Sequence, residues 1–302
     1  MTTEPRSAGP DNIRGIAWAL LSVVTSSVMT VTVRAMTDHF SPSMTLALRA
    51  GLSVILLVVL AAAMTNLRHH LRFTLLRAHL LRGLCIGVST LLGFYTIAHI
   101  PLATATVLFF TAPIFAVIIA ATVQGEPVGP RRWSAVIAGF VGALIILRPG
   151  FDGFEPAMLA ALGSSVFFAT ALTMSRQVAG ADGPIAAFAS SVVVTVIFAT
   201  PFALPDFALP GTLPLWALAL LLVATGGARN IADIQAYRYG DAGVVGPIAY
   251  LRLVLIGAAG FVLFGEVPDG PTLVGAVIII ASAFYIARRE AQLSKARAGG
   301  GP

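Results

Sequence analysis

Along most of this chain the apolar positions form long unbroken runs, and the polar positions fall in short interruptions between them. Reading between charges and Pro/Gly clusters gives ten apolar segments: 15–33, 43–64, 80–98, 102–123, 132–147, 157–175, 184–204, 213–234, 242–264 and 271–287. A helix rises about 1.5 Å per residue and needs roughly 20 apolar residues to cross the hydrocarbon core, which these runs approach or meet. The fifth and tenth are the shortest. Lipid tolerates only helices or closed barrels, because every backbone polar group must be satisfied internally. The runs are continuous rather than alternating at every second position, which excludes a barrel. The expected fold is an all-α integral membrane protein with ten transmembrane helices.

The interruptions repeat. "VQGEPVGP" at 123–130 and "FGEVPDGP" at 264–271 each end an apolar run at Gly-Glu, pass through prolines and start another. Near the start of each half the spacing is 142: Ser22, Arg34, Pro42 and Ala47 match Ser164, Arg176, Pro184 and Ala189. Near the end it is 140: Gly125, Glu126 and Arg148 match Gly265, Glu266 and Arg288. A difference of two residues in the longer basic loop of the first half accounts for the change. Each half then holds five helices, and an odd number sends the second copy into the membrane from the opposite side. Inverted repeats of this kind are associated with alternating-access transporters. The expected layout is a tail over 1–14, a first repeat over 15–148, a second over 154–287 and a tail over 288–302.

Composition sharpens the picture. Hydrophobic residues make up 57% and charged residues only 11%, so the chain cannot clothe a globule in polar surface. The net charge of +6 sits in the breaks between runs, where it orients a membrane protein rather than building a stripe for nucleic acid. With both termini placed in the cytoplasm, the opposite loops hold only Arg34 and Arg148, and the loop "NLRHHLRFTLLR" falls inside. That asymmetry predicts cytoplasmic termini. No small-residue cleavage site follows the first run, which reads as a retained helix rather than a signal peptide. Both polar tails read as solvated. The lone Cys85 excludes a disulfide framework and a Cys-rich metal site, and nothing implies a cofactor.

The chain resembles the drug/metabolite transporter superfamily, in particular its EamA-like members with ten helices and two EamA repeats. The resemblance is carried by the "GE" pairs at 125–126 and 265–266, by "RAG" at 49–51, by "FYTIAHIPLATATVLFFTAPIFAVIIA" in the first copy and by "AYRYGDAGVVGPIAYLRLVLIGAAGFVLFGE" in the second. The second copy departs from the common pattern in having Leu253 where a proline matching Pro113 is usual. The resemblance spans 15–287 and implies a bacterial inner-membrane carrier. Within the superfamily, bacterial amino-acid exporters, including the YddG-type aromatic amino-acid exporters, are the first expectation.

Ionisable residues within spans cost several kcal/mol unless they face a partner or a cavity. Arg49, Arg229, Asp233 and Arg252 are the candidates. Arg229 and Asp233 lie four apart on one helix face and can pair; a substrate carboxylate would compete with the aspartate for the arginine. Asn230 adds polarity to the same helix. Arg49 reads as a structural link. The resemblance implies a cavity lined by helices three, four, eight and nine with parts of one, two, six and seven. That adds Trp18, His79, Ser89, Tyr95, Thr104, Phe168 and Tyr250, whose aromatic members suit an amphipathic amino acid. His79 reads as interfacial, at the cytoplasmic mouth of helix three. Pro113 and Pro247 interrupt helices four and nine and serve as bends, and Glu126 and Glu266 mark the repeated helix ends.

The leading reading is a secondary transporter that exports small amphipathic metabolites, amino acids first. Cationic drugs and nucleotide-like compounds are the alternative cargo. No Gly-rich Lys-Ser/Thr loop supports ATP drive. An intramembrane enzyme would need a nucleophile–base pair or metal ligands, and the sequence offers neither in a recognisable pattern. Oligomeric state has no signal in the chain.

Overall fold

The computed structural model describes residues 11–63, 73–123, 125, 128–148, 154–240, 245 and 248–299. The side chains of 176, 237, 238, 290, 291 and 293–299 are outside that description, as are the expectations placed on Glu126 and Pro247. The described residues fold entirely into helices and connecting turns: α1 (Asn12–Thr37), α2 (Pro42–Ala63), α3 (Leu76–His99), α4 (Leu102–Phe109), α5 (Ala112–Thr122), α6 (Pro130–Leu147), α7 (Pro156–Ala203), a short 3₁₀ turn (Leu204–Asp206), α8 (Leu213–Tyr239), α9 (Leu251–Phe264) and α10 (Gly270–Gly299). Nine helical stretches among them are long and apolar enough to cross a membrane, and α9 is a shorter apolar helix. This is an all-helical membrane protein.

Several boundaries differ from expectation for local reasons. The chain stays helical from Pro156 to Ala203, where a loop was expected after 175. The small and helix-tolerant residues of "QVAGA" carry the helix on, until Gly183, at φ +85°, and Pro184 break it. The expected loose end at 288–302 continues as helix to Gly299, because Ala, Arg, Gln, Leu and Lys are strong helix formers. At the other end α1 starts at Asn12, inside the expected tail, because the Asp11 carboxylate accepts from the Arg14 N–H and caps it. Within the run 242–264, α9 spans Leu251–Phe264.

The repeated Gly-Glu has a plain structural meaning. Gly125 and Gly265 both hold positive φ, +65° and +66°, a conformation that favours glycine; Gly265 caps α9, and Gly125 lies just beyond the Val123 cap of α5. Glu266 then turns back, its backbone N–H donating to the Gly260 carbonyl.

The two copies pack reciprocally. Gly139 approaches Ser282 while Gly142, three residues on, approaches Ile279, the repeat-mates of Gly142 and Gly139 at the 140 spacing. Gly15 of α1 lies against the Ala236 carbonyl of α8, and the matching Thr96 of α3 donates to the Ala157 carbonyl of α7 at 3.1 Å. α1 therefore packs on α8 as α3 packs on α7, and α6 packs on α10. The largest apolar core runs through the contacts of α3, α4, α6, α7 and α10.

Candidate functional site

Four of the charged side chains that the helices carry, Arg49, Arg229, Asp233 and Arg252, lie near one another. Arg49 on α2 reaches across to α8, where a Cβ added to Gly226 would lie 3.0 Å from its Nη2, so the glycine lets the guanidinium come close. Its cation sits over the Phe94 ring of α3, at 5.9 Å. Arg229, one turn beyond Gly226 on α8, pairs with Asp233 at 3.6 Å, as the four-residue spacing predicts. Arg229 is within electrostatic reach of both Arg49 and Arg252, and Asp233 within reach of Arg252. Asp233 also accepts a very short hydrogen bond from the Ser22 hydroxyl of α1.

Arg252 stacks over the Phe110 ring at 5.2 Å, and its Nε is buried without a hydrogen-bond partner. Phe110 occupies the break between α4 and α5, with Pro113 in the first turn of α5, so the helix is interrupted just before the proline. The Phe110 ring lies 5.0 Å from Tyr250, which in turn is 6.4 Å from Phe284. Arg229 and Arg252 thus face the Asp233 carboxylate, with Arg49 within reach of Arg229 and aromatic rings beneath Arg49 and Arg252. The excess is cationic, and a buried donor is left over. Such a place stabilises an anionic group that carries a flat apolar body.

The remaining sequence candidates lie elsewhere. Ser89 is buried and occupied: its hydroxyl donates to the Ser164 carbonyl at 2.8 Å, and Ser164 returns the bond to the Ser89 carbonyl at 2.8 Å. Thr104 is buried 3.5 Å from the Thr272 hydroxyl. Trp18 packs near the start of α1 against a small cluster of Ala19, Ala236 and Val245. Tyr95 is exposed and tilted over His99 at 4.1 Å. Phe168 and Asn230 are exposed. Glu266 is a tie rather than a lining residue: Oε2 accepts from the Leu102 N–H at 2.6 Å and Oε1 is 3.7 Å from Arg34. Arg34, assigned to a loop by sequence, instead ends α1 and donates to the Ile97 and Ala98 carbonyls at 2.7 Å.

His79 is buried against α7 with partners the sequence did not reveal, and both ring nitrogens are engaged, Nε2 with Asp182 at 2.9 Å and Nδ1 with Ser190 at 2.7 Å. It lies fifteen residues, about 22 Å along α3, from Phe94. Sequence reasoning also missed Ser22, Phe94 and Phe110. A serine or phenylalanine in an apolar run gives no signal by itself, although Ser22 was visible as a repeated position.

The EamA-like transporter family model matches residues 13–148 and again 155–288. The chain belongs to the EamA-like transporter family. A riboflavin transporter of Vibrio cholerae is 30% identical over 94% of this chain and 96% of its own. An S-adenosylmethionine uptake transporter of Rickettsia bellii is 31% identical over 91% and 94%. A pseudopaline exporter of Pseudomonas aeruginosa is 27% identical over 70% and 75%. A solved structure described only as "Crystal structure of protein" covers 93% of this chain and 99% of its own at a TM-score of 0.61 and 19% identity, a likeness of fold alone. This EamA-like protein is therefore a multi-pass membrane transporter of a small molecule, and not an enzyme.

Proposed function

We propose that this protein is a secondary transporter of small amphipathic metabolites bearing a carboxylate, amino acids and amino-acid-like compounds first, working by alternating access across the bacterial inner membrane. The observation that carries the reading is the gathering of Arg49, Arg229 and Arg252 over the rings of Phe94 and Phe110, with Asp233 the one carboxylate beside them among the described residues. Uncompensated cations within spans are costly and mark substrate paths. A substrate carboxylate would displace Asp233 from Arg229 and take up the spare Arg252 Nε–H, while its apolar body lies against Phe110 and Tyr250.

The repeats are read as inverted, with ten crossings: α4 and α5 together make one, α7 makes two, and the segment ending in α9 makes the ninth. The reciprocal contacts of Gly139 and Gly142 with Ser282 and Ile279 support a two-fold relation between the copies. Both termini are placed in the cytoplasm on the arginine asymmetry. Export is the direction that the amino-acid-exporter resemblance implies; relatives include both uptake transporters and an exporter.

A second cargo, a nucleotide-like compound with an aromatic base and an acidic group, fits the same rings and cations. The S-adenosylmethionine transporters among the relatives favour it, since that compound joins an aromatic base to an α-amino acid. Cationic drugs fit poorly, because three arginines oppose one aspartate. The test is uptake of a labelled panel into liposomes holding the purified protein. Saturable uptake of amino acids, lost in Arg229→Ala, supports the reading; uptake of organic cations in preference to every carboxylate overturns it.

A further inference from the structure

Far from the arginine cluster, the start of α3 meets the break in α7 through a buried ionic network. The side chains of His79 and Asp182 are each 1% exposed. Asp182 precedes Gly183, whose positive φ breaks α7, so the carboxylate stands on the hinge itself. From there it caps another helix: it accepts from the Thr74 N–H at 2.9 Å, the Thr74 hydroxyl at 2.6 Å and the Leu75 N–H at 3.3 Å, at the N-terminus of α3. His79, one turn inside α3, adds Nε2 at 2.9 Å. The Phe73 ring meets the imidazole edge-on at 5.2 Å.

The hydrogen-bond inventory shows how this site handles a proton. The Ser190 hydroxyl donates to the Ala187 carbonyl at 3.1 Å, which leaves its oxygen to accept from Nδ1–H of His79. With Nε2–H on the carboxylate, this arrangement accommodates a proton on each ring nitrogen. Loss of the Nδ1 proton strands nothing, because the Ser190 hydroxyl can rotate from Ala187 to donate to Nδ1. Both charge states are satisfied, and they differ by one charge in a buried site.

The Ala187 carbonyl carries the change onward. It also accepts from Arg82 Nη1 at 2.9 Å and from the Ser191 hydroxyl at 2.7 Å. Arg82 donates further to Ser175 at 2.8 Å and to Ser191 at 2.5 Å, so it grips both sides of the hinge. Among the described residues, the elements packed on His79 carry Asp182 on α7, Arg77 and Arg82 on its own helix, Arg49 on α2, and Arg14 and Arg34 on α1. Of these only Asp182 is a carboxylate and only it touches the ring. Histidine is the side chain whose charge changes between about pH 5 and 8.

We propose that His79, paired with Asp182 at the Gly183 hinge, is a proton-binding site separate from the substrate site, and that its charge sets how firmly α3 is tied to α7. The inference that this tie governs transport rests on the alternating-access reading above. With the proton bound, imidazolium and carboxylate hold the two helices together. Without it, Asp182 keeps only its neutral donors and the grip weakens.

The test is a distance measurement that needs no substrate, so its outcome is separate from that of the flux assay. Spin labels go on Arg77→Cys and Gly180→Cys, both exposed positions, in a Cys85→Ala background, with the full chain in liposomes. The expected result is a compact α3–α7 distance at pH 5.5 and a longer or broader one at pH 8.5. His79→Gln, which keeps a hydrogen bond to Asp182 without titrating, is expected to give one distribution at both pH values. Asp182→Asn is expected to move the transition to lower pH, since it removes the charge that favours the imidazolium. A distribution that ignores pH in the unmodified pair, or an unaltered transition in either variant, overturns the proposal.

Discussion

Phe110 and Tyr250 stand 140 residues apart in sequence, and their rings stand 5.0 Å apart in space. That is the spacing that separates Gly125 from Gly265, so the two rings are the same position of the two repeats meeting each other. Arg252 lies over Phe110, which sits in the break after α4, and Tyr250 caps the start of α9. The place where the copies meet is also the place where the spans carry charge, which is why the substrate site is put there.

Asp233 is expected to hold Arg229 in reserve. Asp233→Asn removes the internal competitor, so the apparent KM for a carboxylate substrate should fall several-fold, whereas Arg252→Ala should raise it at least tenfold. Concentration-dependent uptake in liposomes measures both. An Asp233→Asn protein that loses uptake while remaining folded would count against competition and for a required carboxylate.

Close backbone approach makes one glycine indispensable. A Cβ on Gly15 would fall 2.5 Å from the Gly240 Cα, and backbone cannot swing aside as a side chain does. Gly15→Ala should cost about 1–3 kcal/mol, typical of overpacking. Gly180→Ala meets nothing within 4 Å and should be neutral or slightly stabilising. Thermal unfolding in detergent compares the two.

Much of this was legible beforehand. The spans followed from apolar run length, the Arg229–Asp233 pair from a four-residue spacing, and the repeat from Arg, Pro and Gly-Glu at two consistent offsets. What stayed hidden depends on contacts between distant segments. Asp182 lies in a short polar break 103 positions from His79, and nothing in either neighbourhood points to the other. Arg34 sits where a loop arginine would, yet the carbonyls of Ile97 and Ala98 hold it. Ser89 was a reasonable cavity candidate until its hydroxyl was seen to be used by Ser164.

Glu266 ties the end of α9 to the start of α4 and to Arg34. Glu266→Ala leaves the Leu102 N–H without its acceptor and the Arg34 cation without its carboxylate. A charged hydrogen bond is worth about 1.5–3 kcal/mol, so a loss of that order is expected. Glu266→Gln, which keeps an acceptor, should lose less. Arg34→Ala measured beside them should resemble Glu266→Ala if the tie is the cause.

The end of α10 offers a pH prediction. Burial would raise the Asp269 carboxyl, but donors from the Thr272 side chain and N–H and from Arg148 outweigh it and hold the group below its ordinary range. A depressed carboxyl adds stability above its unfolded-state value, near 3.8, and gives it up as pH falls through the folded value. Asp269→Asn should therefore lower the Tm at pH 7, and the gap from the unmodified protein should close below about pH 4. A gap of constant size at every pH would show that the carboxyl charge plays no part.

The most direct test of the central claim compares phenylalanine with phenylalaninamide, the same ring and amine without the carboxylate. Both are offered as labelled substrates to liposomes holding the unmodified protein and Arg229→Ala. The arginine cluster predicts saturable uptake of the acid, little of the amide, and loss of that preference in Arg229→Ala. Equal transport of the two, or a preference for the amide, would contradict a site built to receive an anion.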